Sequence, residues 1–155
     1  MICIRWMLTK DLDTVTSIET KSNEYYISRD DMIKLLRKRS VVAMVAVEGE
    51  NEDTGEITGF MIYELMNRRI QLLDIAVHTK YRRKGIGTGL IEKLKEKLSH
   101  KRRTKISTEV RESNLELLLF LKRQNFRAVE VIRNYFQDTG EDAFVMHFVL
   151  PTEGK

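Results

Sequence analysis

The sequence is short of several residues that would mark other kinds of protein. It has one cysteine, Cys3, so no disulfide can close within the chain and a reducing compartment is expected. Its three histidines, His78, His100 and His147, stand far apart with no cysteine beside them. No cluster has zinc-ligand spacing, so no metal is expected. The single proline, Pro151, precedes a polar stretch, so no proline-rich linker divides the chain and residues 151–155 are expected to fray. No apolar run approaches about 18 residues, which leaves nothing to span a membrane. The opening Ile2-Cys3-Ile4-Arg5 meets charge too early for a secretory leader. Nor is there a strong excess of one charge: 27 Lys and Arg stand against 23 Asp and Glu, a net +4. This mild basic bias favours an anionic partner without demanding nucleic acid. The expectation is a soluble, cytoplasmic protein.

What is present suffices for one domain, placed at 1–150. At 155 residues the chain has the usual domain length and can bury a sizeable core without staples. The apolar fraction is 42%, too high for a disordered chain. Ile2 to Met7 reads as a short strand. A helix follows, with Asp11 or Thr9 as cap and Leu12, Val15 and Ile18 on one face. Ser28 caps a second helix that carries Asp30 and Asp31 in its first turn and ends in Arg37-Lys38-Arg39. Val41 to Val47, Ile57 to Leu65 and Ile70 to His78 form an antiparallel meander. A helix through Ile86, Leu90, Ile91, Leu94 and Leu98, closed by the basic run at His100 to Arg103, leads to the alternating strand Lys105 to Arg111, which implies a parallel crossover. Ser113 and Glu116 form a capping box for a short helix ending near Asn125. Ala128 to Phe136 and Ala143 to Leu150 make a closing hairpin. The order β-α-α-β-β-β-α-β-α-β-β predicts an α/β fold on one central mixed sheet.

The segment Arg82-Arg83-Lys84-Gly85-Ile86-Gly87-Thr88-Gly89 follows a strand and opens a helix. A helix N-terminus offers unpaired N–H groups and the positive end of its dipole, and glycine lets an anion come close to the backbone. With three cations beside it, the loop suits a pyrophosphate. It is not a Walker A loop, since Leu90 and Ile91 stand where Lys and Ser or Thr would follow the last glycine. It is not a dinucleotide fingerprint either, because it follows a meander and lacks the final glycine spacing. The basic runs at Arg37 to Arg39 and at His100 to Arg103 lack interleaved aromatics, so a nucleic acid partner is not expected.

Arg82-x-x-Gly85-x-Gly87 resembles the pyrophosphate-binding motif of the GNAT (Gcn5-related N-acetyltransferase) superfamily, and the element order is similar to that fold over the whole chain. The strings Glu109-Val110-Arg111-Glu112-Ser113-Asn114, Arg133-Asn134-Tyr135-Phe136 and Glu141-Asp142-Ala143 resemble the ribosomal-protein-alanine N-acetyltransferases and their archaeal N-terminal acetyltransferase relatives. The resemblance implies a sheet splayed at an acetyl-CoA site and an acyltransferase acting on a protein or peptide N-terminus. It assigns backbone contacts with the pantetheine and thioester to Ile75, Ala76 and Val77. It gives the pyrophosphate cradle to Arg82, Arg83, Lys84, Gly85, Ile86, Gly87 and Thr88, a cofactor contact to Asn114 and the general base to Glu109. The family's tyrosine acid is replaced by Leu121, so Tyr135 or Tyr63 is the substitute hydroxyl, with Tyr135 the preferred one. The family's glycine after the fourth helix is Asn125, a residue that also tolerates the left-handed conformation. From pattern alone Glu109 fits a solvated strand face, and Asp74 and His78 are alternative bases. Other readings of the same resemblance are acetylation of a lysine or small amine, or a catalytically weak CoA-binding module. The oligomeric state is not legible.

Overall fold

The computed structural model describes residues 2–51 and 54–152. Most of the expected frayed tail, residues 153–155, lies outside the described residues, and Pro151 and Thr152 carry no regular structure. The strands are β1 (Ile2–Trp6), β2 (Val41–Glu48), β3 (Glu56–Leu65), β4 (Arg69–Val77), β5 (Lys105–Arg111), β6 (Arg127–Phe136) and β7 (Glu141–Val149). The helices are α1 (Leu12–Ser22), α2 (Arg29–Leu36), α3 (Ile86–Lys95) and α4 (Leu115–Arg123). Hydrogen-bonded neighbours run in the order β1-β2-β3-β4-β5-β7-β6, a mixed seven-stranded sheet. The element order is the one that the periodicities predict.

The chain divides into two compact units, Met1–Leu65 with Leu72–Glu96, and Met66–Gln71 with Lys97–Lys155. In the first, β1 runs antiparallel to β2 and β2 to β3. Val15 and Ile18 of α1 and Met32 of α2 bury against Val45, Phe60 and Ile62 of the sheet, because apolar residues at helical spacing meet alternating ones on the strands. Gly59 on β3 is required by a close approach: a Cβ there would stand 2.9 Å from the Ala76 carbonyl oxygen and 3.3 Å from the Ile86 side chain. In the second unit, the parallel pairing of β4 with β5 covers Arg69↔Lys105 to Gln71↔Ser107 and ends there. β7 runs antiparallel between β5 and β6. Leu121 of α4 is fully buried, and Phe126, just after that helix, packs on Phe148 of β7.

Several helix ends differ from expectation. Ser28 caps α2 as predicted, accepting from the Asp31 N–H. Asp11 stands at the N-cap position of α1, as expected, but its side chain makes no capping bond there, because a short 3-10 turn, Thr9–Asp11, comes first. The Asp11 carboxylate instead accepts from the Leu8 N–H and from Arg5, tying β1 to that turn. Burial opposes its charge, but Arg5 and the Leu8 N–H outweigh this and hold its pKa below the usual value. The expected Ser113–Glu116 capping box is also absent: Asn114 is the cap, its Oδ1 accepting from the Leu117 N–H at 3.2 Å, while the Ser113 N–H goes to Glu141. α3 stops at Lys95, one turn before Leu98. Asn125 is left-handed at φ 70°, and the Phe126 N–H returns to the Leu121 carbonyl, the helix-ending turn that glycine usually makes.

Candidate active site

The first unit carries the anion loop. The last residues of β4, Ile75, Ala76 and Val77, lead to His78, whose N–H donates to the Thr58 carbonyl. The His78 Nδ1 accepts from the Lys80 N–H at 3.0 Å, closing a 3-10 turn, Thr79–Tyr81, that the sequence did not announce. This contact makes His78 a turn cap rather than a base. Tyr81 is buried, its hydroxyl is hydrogen-bonded to Glu56, and the ammonium groups of Lys80 and Lys84 sit 5.5 and 5.6 Å from its ring centroid. Arg82 donates from Nε to the Val77 carbonyl at 3.2 Å, so this side chain braces the loop against β4.

Beyond this brace the backbone turns left-handed twice, at Arg83 (φ 63°) and at Gly85 (φ 80°), and α3 begins at Ile86. Nothing lies within 4 Å of where a Gly85 Cβ would be, so the space in front of the helix start is open. Arg83 and Lys84 are exposed. α1, α2 and α4 each carry acid in the first turn, Asp13, Asp30 with Asp31, and Glu116, whereas α3 carries none. An acid there would fill the role of an external anion. Open space, first-turn amides, flanking cations and the missing acid together fit the pyrophosphate of a CoA ester.

Asp74, the other alternative base, points into the first unit's interior. Burial first, and then the hydrogen bond and charge of Glu19, raise its pKa well above the ordinary value. Glu19 itself accepts from Asn23 Nδ2 and from the Ile27 N–H. Glu19 is 1% exposed, and Asp74 is half-buried with its Oδ2 turned away from solvent.

The second unit holds the candidate acid–base group. Glu109 on β5 is half-buried and accepts two hydrogen bonds, from Gln71 Nε2 and from the Tyr135 hydroxyl at 3.3 Å. Gln71 is fixed in turn, because its Oε1 accepts from Arg69 Nε at 3.0 Å. Arginine can only donate, so the Gln71 oxygen must face Arg69 and its NH2 must face Glu109. The amide therefore presents a donor to the carboxylate, and Glu109 is held as an acceptor. Burial, and then the charge of Glu109, push the Tyr135 hydroxyl above its usual value of 10.0, so it keeps its proton at neutral pH. Tyr63 is 1% exposed, contacts the Met44 sulfur and is pushed up to about 12 by burial, which removes it as a substitute acid.

The hairpin carrying Tyr135 is tightly pinned. Arg111 pairs with Asp138 at 2.8 Å and with Glu141 at 3.3 Å, and its guanidinium lies 4.1 Å from the Phe136 ring centroid. The Glu112 N–H donates to the Asp142 carbonyl and the Asp142 N–H to the Glu112 carboxylate, while the Asn134 N–H, at a left-handed φ of 53°, donates to the Asp142 carboxylate. Glu109 and Tyr135 are thus brought together as candidates. Arg69 and Gln71 were not foreseen, because within Arg69-Ile70-Gln71-Leu72 they read as ordinary polar positions of a strand. Among the described residues, no group of three or more His, Cys, Asp or Glu is placed to hold a metal ion, and no helix is long and apolar enough to cross a membrane.

Residues 6–126 match the model of the acetyltransferase (GNAT) family. The chain belongs to this family. It is 39% identical over 80 residues to an N-alpha-acetyltransferase of Saccharolobus solfataricus, covering 51% of this chain and 47% of that protein. It is 31% identical over 94 residues to the [ribosomal protein bS18]-alanine N-acetyltransferase of Escherichia coli, covering 59% of this chain and 64% of that protein. These matches span about half and just under two thirds of the two relatives. The structure of Arabidopsis thaliana NAA60 in complex with acetyl-CoA superposes with a TM-score of 0.82 at 17% identity, over 96% of this chain and 98% of that one, a likeness of fold. This GNAT chain is an acyltransferase of the N-acetyltransferase kind.

Proposed function

We propose that this GNAT enzyme moves an acetyl group from acetyl-CoA to the α-amine of a protein or peptide. The observation that carries the reading is the carboxylate of Glu109, held as an acceptor by Gln71 and Tyr135. Relatives named as N-alpha- and ribosomal-protein-alanine acetyltransferases support the choice of acceptor.

The chemistry favours such an acceptor. An α-amine has a pKa of about 7.7–8.0 against about 10.4 for lysine, so at neutral pH roughly a tenth of it is already neutral. Glu109 takes the proton that the neutral amine sheds as its nitrogen attacks the thioester carbonyl, directly or through one water. The C–N bond forms, the C–S bond breaks and the sulfur leaves with the bonding pair. Main-chain N–H groups of Ile75 to Val77 receive the thioester end of the cosubstrate and stabilise the charge that develops on its oxygen. The loop from Arg83 to Thr88 binds the pyrophosphate, Arg82 braces it, and Asn114 contacts the cosubstrate while capping α4. Tyr135 gives its proton to the leaving sulfur and regains one through its hydrogen bond with Glu109. A thiol pKa near 8.5 makes this help worth on the order of 2 kcal/mol, so Leu121 in place of a tyrosine acid is tolerable.

Mass spectrometry of acetyl-CoA reactions with peptides bearing free Ala, Ser or Met N-termini, and with an N-blocked peptide carrying a lysine, tests this. Acetylated N-termini, lost in Glu109→Gln, are expected. Products on lysine alone would reassign the acceptor, and acetyl-CoA binding with no product would make the chain a CoA-binding module.

A further inference from the structure

The face of the second unit that carries Glu109 has a graded charge. Register places Glu109 and Glu130 on one rung, through Val145. The next rung holds Gln71, Ser107, His147 and Arg127, and below it Arg69 stands beside Lys105. The turn before β5 carries two further cations, Lys101 and Arg102, both exposed. Burial, and then the charges of Lys105 and Arg69, depress the His147 pKa, with Glu109 and Glu130 opposing, so these groups do sense one another. The unit's ion pairs gather at the opposite end, where Arg111 meets Asp138 and Glu141 and Arg133 meets Asp142. Arg69, Lys105, Arg127, Lys101 and Arg102 form no ion pair among the described residues.

We infer that this face selects acceptors with an acidic stretch a few residues behind the reacting amine. The inference rests on the acceptor reading above and deepens it. An N-terminus brings its positive amine to the acid rung, and Lys105 lies about 13 Å further along β5, roughly four residues of extended chain. Acidic side chains near positions four to six would then meet Arg69, Lys105 and Arg127. A nucleic acid matches this face poorly. It has no positive head for Glu109 and Glu130, and the two cationic rungs beyond them, Gln71-Ser107-His147-Arg127 and Arg69-Lys105, hold no Phe, Tyr or Trp on which a base could stack.

The test uses two peptides with a free Ala N-terminus and a C-terminal fluorophore. One carries Asp-Glu-Asp at positions four to six and the other Asn-Gln-Asn. Anisotropy reports binding independently of transfer. The acidic peptide is expected to bind about ten-fold tighter at low salt, with the gap narrowing as salt rises. The double variant Lys105→Glu with Arg127→Glu should erase the preference and leave acetylation of the neutral peptide unchanged. Lys105→Gln with Arg127→Gln, checked by thermal unfolding, serves if the reversal does not fold. Equal affinity for both peptides overturns the inference. So does a single-stranded RNA oligomer of equal charge that binds more tightly than the acidic peptide, which would assign the face to nucleic acid. Preferential binding of the acidic peptide without any acetylation would sink the transferase reading and leave the selective face standing.

Discussion

The two compact units hold their candidate groups in opposite ways. In the first, the anion loop is made of main chain: a left-handed Gly85, the first turn of α3 and an Arg82 side chain spent on bracing. In the second, the acid–base group is made of side chains relayed from Arg69 through Gln71 to Glu109, with Tyr135 on the other carboxylate oxygen. A main-chain site depends on backbone shape and is indifferent to most side chains that keep it. A side-chain relay depends on which atom donates and fails when a single donor is removed. One half should therefore respond to substitution through affinity, the other through rate.

The largest expected effect is that of Glu109→Gln, which keeps shape and removes the base. Transfer should slow by about 10²–10⁴-fold while acetyl-CoA binding, read by calorimetry, stays unchanged. If both fall together, the division between the halves is broken. Gly85→Val is the mirror experiment. A left-handed conformation costs a side-chain-bearing residue roughly 1–2 kcal/mol, so the loop should relax and acetyl-CoA affinity should fall by about 5–30-fold. The rate at saturating acetyl-CoA should hold. Gln71→Leu sharpens the contrast, since the Gln71 amide donates to the Glu109 carboxylate and holds it as an acceptor. We expect kcat to drop about ten-fold, on the order of one lost charged hydrogen bond, with KM and acetyl-CoA affinity held. An unchanged kcat would remove Gln71 from the relay. Smallest is Asn114→Ala, which should lower unfolding free energy by about 1 kcal/mol through the lost cap. A parallel loss of acetyl-CoA affinity would show that Asn114 serves both purposes.

The difference between the halves also explains what was legible in the sequence. The loop is contiguous, and its glycines, cations and following helix stand in one run from Arg82 to Gly89. Asn125 could be read as a left-handed residue because the requirement is local, and φ 70° agrees. Gln71 was opaque because its partner lies 38 residues away and meets it through a parallel pairing only three registers long. The signal that was available is the polar pair Arg69 and Gln71 on one face of a strand whose other residues are apolar except Asp74. The caps were misplaced for a related reason. Ser113 and Asn114 are both good caps by type, and what decides between them is Glu141, which engages the Ser113 N–H from β7. Asp11 is likewise diverted by Arg5.

The raised pKa of Asp74 couples folding of this chain to protons from the solvent. Unfolded, Asp74 is charged at neutral pH; folded, burial first and then the hydrogen bond and charge of Glu19 favour its protonated form. The folded state binds the extra proton, so stability should fall as pH rises from the ordinary aspartate range towards the raised pKa of Asp74. Asp74→Asn, whose amide can still donate to Glu19, should flatten that slope in unfolding curves taken at several pH values. The heat of folding should also depend on the buffer that supplies the proton, so calorimetry in two buffers of different ionisation enthalpy would count it.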